Sequence, residues 1–304
     1  MQLSFSIPAS CEGMELRKFL YQCAVSTDLT RAVKHRGTGF WVDGQPAFTN
    51  AKLHAGQQVR FALPPEEKPP VTPQPEIPLR VVYQDAFALV IEKPAGIAVH
   101  PTLNYADGTL ANAYAAWAEQ NGESGVFRPV NRLDRNTSGL LLAARNMYAA
   151  SLLAQSVEKT YYAVAEGALP LGAGVFDGPI GRTPDSIVTR CVTPAGKPSR
   201  TEYTVLQQAG GYSLAACRPV TGRTHQIRVH FAHAGHPLAG DDLYGGSREE
   251  IHRHALHCGK LECSIPDHLW DGEVLQMALP LHRHLVTVES ALPADMKKLL
   301  CCEI

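Results

Sequence analysis

The sequence predicts an α+β protein: a body built on a mixed, mainly antiparallel sheet, preceded by a small basic α/β unit. Three observations carry this reading. Strand-like runs come in adjacent pairs, as in "LRVVYQDAFALVIEK" or "TEYTVLQQ" with "YSLAACRPV", and not in regular alternation with helices. Helical stretches stand isolated between those pairs. A proline-dense stretch, residues 63–78 with seven of the 22 prolines, sets the front of the chain apart, because prolines that close together favour an extended spacer. The expected organisation is a front unit over residues 1–63, a linker over 64–78 and a body over 79–304.

In the front unit, Leu16, Phe19, Leu20 and Cys23 follow the i, i+3, i+4, i+7 spacing of one helix face. A second short helix is expected to begin near Thr30, a good N-cap residue, with Arg31, Lys34 and His35 on one shared side. "FWVDGQPAF" reads as a hairpin around Asp43-Gly44, and "QQVRFAL" as a closing strand. After the linker come two strands parted by Gln84-Asp85 and a Lys-Pro-Ala-Gly turn. "TLANAYAAWAEQNG" is a helix stopped by Gly122. The polar loop "NRLDRNTSG" then runs straight into Leu140–Ala144, a buried strand entered at Gly139. "MYAASLLAQSVEK" reads as a helix, "TYYAVAEG" as a strand, and Thr224 to Gly235 as a helix with Ile227, Phe231 and Ala234 as its core stripe.

Composition narrows the class. At 304 residues, 45% hydrophobic and 19% charged, the chain is an ordinary folded globular protein. No segment approaches the apolar length that crosses a bilayer, and the start lacks the basic and apolar regions of a secretory signal, so a cytoplasmic protein without membrane association is expected. The eight cysteines (Cys11, Cys23, Cys191, Cys217, Cys258, Cys263, Cys301 and Cys302) form no CxxC, and reduced thiols are expected. Net charge is -1, but residues 16–63 hold seven Lys/Arg against two Asp, while the remainder is acidic by six. A basic module on a mildly acidic body suits a nucleic-acid partner, with Arg31 and Lys34 on its ridge.

Three constellations compete to carry chemistry. Asp134 lies between Arg132 and Arg135, and a carboxylate beside cations is held ionised, fit to act as nucleophile or general base. Taken alone, a loop aspartate is more often a turn residue. Arg223 and Arg228 give the helix at 224–235 two forked donors for phosphate or carboxylate, although a surface helix often carries such residues. The third is a histidine crowd (His225, His230, His233, His236, then "HRHALHC"). It carries no HExxH, is interleaved with Arg228, and places Cys258 and Cys263 without a matching pair, so no metal site is expected. There is no P-loop and no GxGxxG to anchor a nucleotide cofactor.

Read together, "YQDAFALVIEKPAGIAVHP", "NRLDRNTSGLLL", "EKTYYAVAEG", "GRTHQIRVHFAHAGHPLAGDDLYG" and "RHALHC" resemble, in order, the motifs of the RluA-type pseudouridine synthases. The similarity runs from about Leu79 to Pro280. The front unit more loosely resembles the small RNA-binding domain, named after a ribosomal small-subunit protein, that often precedes this catalytic domain. The resemblance implies the pseudouridine synthase fold and the isomerisation of selected uridines in structured RNA, with no cofactor, no metal and no obligate protein partner. Large-subunit ribosomal RNA is the expected substrate, with transfer RNA as the other candidate. It implies Asp134 as the catalytic carboxylate, Tyr161 against the target base, Arg228 paired with the carboxylate, and Arg132 filling the space the base leaves in the RNA. Arg31, Lys34 and Arg223 are expected to contact RNA. Asn131 stands where the family usually has histidine; it keeps a hydrogen-bonding side chain but no titratable ring, and a structural role is expected. Two rivals compete with this reading: a catalytically silent RNA-binding protein in ribosome assembly, and a metal-dependent hydrolase.

Overall fold

The computed structural model describes residues 1–67, 70–102, 105–123, 125–184, 186–270 and 272–300. Its front comprises β1 (Gln2–Ser6), α1 (Leu16–Gln22), α2 (Thr27–Arg36), β2 (Phe40–Val42), β3 (Gln45–Ala47) and β4 (Gln58–Ala62). Leu16, Phe19 and Leu20 are the buried face of α1, as their spacing requires. Asp43 and Gly44 both take positive φ (47° and 77°), the twist that a two-residue hairpin turn needs. The second helix starts earlier than expected. Ser26 is its N-cap, with its hydroxyl accepting the Leu29 N–H, while Thr30 lies inside the helix and donates its own hydroxyl to the Ser26 carbonyl.

The body continues with β5 (Arg80–Gln84), β6 (Ala88–Lys93), α3 (Leu110–Asn121), β7 (Ser138–Ala144), α4 (Met147–Ala154) and β8 (Glu158–Glu166). Next come β9 (Ala173–Asp177), β10 (Ile180–Arg182), β11 (Arg190–Val192), β12 (Arg200–Ala209), β13 (Tyr212–Pro219) and α5 (Gln226–His233). It closes with β14 (Leu256–Pro266), β15 (Leu269–Trp270), β16 (Val274–Ala278), β17 (Arg283–Glu289) and α6 (Ala294–Lys298). The main sheet runs β5-β6-β7-β14-β8-β13-β12-β9, with β17 joining β14 where β7 leaves it. All its pairings are antiparallel except β7 with β14, which makes the mixed, mainly antiparallel α+β sheet the sequence predicts.

Two helices are shorter than their sequence pattern. The helix expected to reach Lys159 ends at Ala154, because Glu158 and Lys159 already pair with β14. α5 begins at Gln226, two residues after Thr224, because His225 adopts a left-handed conformation (φ 58°) that no helix can include. Ala234, expected in the core stripe, is an exposed C-cap, while Ile227 and Phe231 are buried.

The front of the chain is not held at arm's length. β1 pairs with β4 on one side and, in parallel, with β16 from the far end of the chain on the other. Phe5 packs edge-on against Tyr148 of α4, whose hydroxyl donates to the Cys23 carbonyl. One continuous apolar cluster runs from Leu3 and Phe61 through Phe87 to Leu140 and Ile265, and a smaller one gathers Val164, Ala255 and Met296. The proline-rich stretch lies along α3: the Gln74 N–H donates to the Asn112 carbonyl, and the Asn112 amide donates to Thr72. Residues 68 and 69 of that stretch, and Cys301 and Cys302, lie outside the described residues; the other six cysteines are free thiols.

Candidate active site

Residues 128–137 double back before entering β7. The Val130 N–H donates to the Leu142 carbonyl and the Ala144 N–H to Arg128, so the polar loop lies hydrogen-bonded along the strand it is about to become. Asn131 completes the seam. Its buried amide accepts from the Leu142 N–H at 2.7 Å and donates to the Leu140 carbonyl. A turn closed by Thr137 N–H to the Asp134 carbonyl then lifts Asp134 clear of the sheet. Gly139 is the pivot. Its φ is 108°, and a Cβ there would sit 2.2 Å from the Cys258 carbonyl oxygen, so only glycine lets β14 close against β7 at this point.

A buried lysine holds the loop from the other side. Lys93 Nζ donates to the carbonyls of Pro94, Ile97 and Arg135 at 2.8–3.0 Å. Three acceptors on one nitrogen require the ammonium form. Burial pulls its pKa down to about 7, with the Asp134 charge working the other way.

Asp134, its side chain 19% exposed, faces the N-terminal end of α5. Its Oδ2 lies 3.2 Å from an Arg228 guanidinium nitrogen and 3.8 Å from His225 Nε2. Arg228 is 6% exposed and is itself gripped by Asp241, which accepts two hydrogen bonds at 2.7 Å, while the Tyr244 ring lies 5.0 Å from the guanidinium carbon. One cation thus serves two carboxylates. Burial works against its charge, and the two carboxylates outweigh burial, so Arg228 holds its proton more firmly than usual. Burial likewise pushes Asp134 up, but the fields of His225, Arg228 and His254 bring it below its ordinary value. His225 and His254, their pKa values lowered by burial to about 4 and about 3, are neutral at physiological pH. The permanently charged guanidinium is therefore what keeps Asp134 ionised there.

Asp134, Arg132, Tyr161, Arg223, His225 and Arg228 line one cavity of about 230 Å³. That is below the range of roughly 300–1,000 Å³ usual for drug-sized ligands, and it suits a single ring. Tyr161 is buried at its wall; burial first, then the Cys258 thiol, drives its pKa well up, so the phenol stays neutral. Arg132 and Arg223 are exposed at the rim. Arg31 and Lys34 are exposed on α2 and do not line the cavity.

Within the histidine crowd, His230 bonds to Thr201 and Gly178, His257 to Ser138 and Ser290, His254 to Thr137, and His236 to the Glu166 carbonyl. Among the described residues no group of three His, Cys, Asp or Glu side chains is placed to hold a metal. Sequence reasoning assigned no role to Lys93, His225, Asp241 or Tyr244. The first sits in the "EKPAG" turn and the others within "GRTHQIRVHFAHAGHPLAGDDLYG", so their only signal was membership of a motif.

The family described as RNA pseudouridylate synthase matches residues 88–233. An "Uncharacterized RNA pseudouridine synthase YjbO" from Bacillus subtilis is 33% identical over 94% of this chain and 98% of its own length. "Ribosomal large subunit pseudouridine synthase D" of Haemophilus ducreyi is 34% identical over 81% of the chain and 80% of its own length. Among solved structures, human RNA Pseudouridylate Synthase Domain Containing 1 superposes with a TM-score of 0.56 at 26% identity, covering 73% of this chain and 87% of that one.

Proposed function

The chain belongs to the RNA pseudouridylate synthase family, and on that footing we propose that it isomerises selected uridines of large-subunit ribosomal RNA with Asp134 as the catalytic carboxylate. The observation that carries this is the 3.2 Å contact between Asp134 and a buried arginine at the wall of a single-ring cavity. The relatives named as large-subunit enzymes support the choice of RNA.

The reaction breaks the bond between uracil N1 and ribose C1′ and makes one from C5 to C1′. C5 gives up a proton and N1 gains one. A stacked base cannot turn over in place, so the uridine must be everted at a cost of a few kcal/mol. Asp134 can open the reaction by attack on C1′, by taking a sugar proton or by adding to the base. Each opening needs a carboxylate that stays ionised where water is excluded, which is what Arg228 supplies. Tyr161 offers the detached ring a flat apolar wall, and Arg132, at the cavity rim, fills the gap the base leaves in the RNA. Arg223 beside the cavity, and Arg31 and Lys34 on the front unit, supply phosphate contacts, with the front unit acting as an RNA-binding domain. No helix among the described residues is long and apolar enough to cross a membrane, and action on ribosomal RNA in the cytoplasm fits this reading.

The test is a nucleotide-resolution map of pseudouridine in ribosomal RNA from cells with and without the gene. One or more large-subunit sites should vanish, return with the wild-type gene and stay absent with Asp134→Asn. A map identical in all strains would favour the silent RNA-binding protein instead.

A further inference from the structure

His225 is the residue at this site whose conformation the fold has to force. It is a non-glycine residue in the left-handed region (φ 58°, ψ 18°) at the N-cap of α5, and its side chain makes no cap hydrogen bond. Such a conformation is strained for a residue with a Cβ and persists where the surroundings demand it. The ring has a fixed partner on one edge. Its Nδ1 lies 2.7 Å from the Tyr244 hydroxyl, and that oxygen already accepts the Arg190 N–H at 3.1 Å. A phenol has one hydrogen to give. With Arg190 donating to its oxygen, that hydrogen is available to Nδ1, 2.7 Å away. Nδ1 is then an acceptor, and the proton of the neutral ring sits on Nε2. Nε2 lies 3.8 Å from Asp134 Oδ2, too far for a hydrogen bond, and the ring borders the cavity.

We propose that the Arg190–Tyr244–His225 chain locks His225 as a neutral Nε2–H donor aimed into the cavity, where it hydrogen-bonds a carbonyl oxygen of the everted uracil and steadies the ring once it is detached. The inference rests on the reading of this cavity as a uridine site. A neutral donor suits the task, since uracil offers acceptors at O2 and O4 and gains electron density when it leaves C1′. Burial, with Arg228, Arg190 and Arg132 adding to it against the pull of Asp134, holds the ring's pKa to about 4, which keeps the donor uncharged through the physiological range.

Two substitutions separate this role from a structural one. Glutamine can place an amide N–H near the Nε2 position, whereas asparagine ends near Nδ1 but tolerates the left-handed backbone better. A donor role therefore expects His225→Gln to keep kcat within about tenfold of wild type and His225→Asn to lose about a hundredfold in kcat, with Asn at least as thermostable as Gln. A purely structural residue gives the opposite order, with Asn as active as wild type and Gln impaired. The tautomer has its own readout: imidazole nitrogen NMR of the whole protein should show Nε2–H for His225, mixing with Nδ1–H in Tyr244→Phe. Equal activity of His225→Asn and wild type, or an Nδ1–H ring in the wild type, overturns the proposal. If wild-type protein makes no pseudouridine, the reading of the cavity fails instead.

Discussion

At the scale of single residues, the site is an arrangement of charge in which one guanidinium is shared. Asp134 drew attention in the sequence as a carboxylate between arginines in a loop abutting a core strand, and its proposed role came with the family resemblance. Asp241 was not, because nothing in a sequence says which of two acidic residues, Asp241 or Asp242, turns inward; in the fold Asp241 is buried on Arg228 and Asp242 is exposed with Arg248. Asp241→Asn leaves a buried guanidinium with one charged partner, and a loss of about 3 kcal/mol in urea unfolding is expected, as when buried pairs are broken; an unchanged midpoint would contradict it. The neutral histidines set a pH dependence. His225 and His254 have folded pKa values of about 4 and about 3 against roughly 6.5 in an unfolded chain. Below 6.5 the unfolded state binds protons that the folded state refuses. Their contribution is therefore fully present above about pH 6.5 and is lost as pH falls toward the folded values, at up to about 1.4 kcal/mol per pH unit for each. Urea midpoints measured from pH 7.5 to 4.5 should fall steadily below 6.5. A flat profile across that range would show that these rings are not held neutral.

At the scale of elements, helices with a regular apolar face were read close to their true limits, and the exceptions have local causes. Ser26 outcompetes Thr30 as a cap, and the strained His225 delays α5. The strands of the last third escaped because their pattern is set by tertiary pairing. β14 is a near-continuous buried run, and two of its partners, β7 and β8, lie far away in the chain. The parallel contact of β7 with β14 depends on a missing side chain. Gly139→Ala should therefore be severely destabilised, by more than about 4 kcal/mol, or insoluble. Wild-type stability in that variant would mean that the two strands can part without consequence. The clash is with backbone, so a rotamer change offers no relief.

At the scale of the molecule, a proline-rich stretch stands out in the sequence, and the sheet that holds the strands before it also takes strands from the other end of the chain. Register between β1 and β16 is a long-range fact that composition does not carry. Leu275 on β16 is fully buried in the core shared with Leu3 and Phe5. Leu275→Ala should lower the stability of the whole protein by about 2–5 kcal/mol in one transition; a separate early transition of the front unit would show independent folding. RNA affinity should fall steeply with salt, and replacing both Arg31 and Lys34 with alanine should reduce the slope of log K against log salt by about two. The most direct measurement joins the chemistry to the fold: release of tritium from 5-tritiated uridine in target RNA by purified wild-type and Asp134→Asn protein, with RNA affinity measured in parallel. The expected result is a loss of release of about a thousandfold or more with affinity nearly unchanged. Release by Asp134→Asn at the wild-type rate would remove Asp134 from the chemistry.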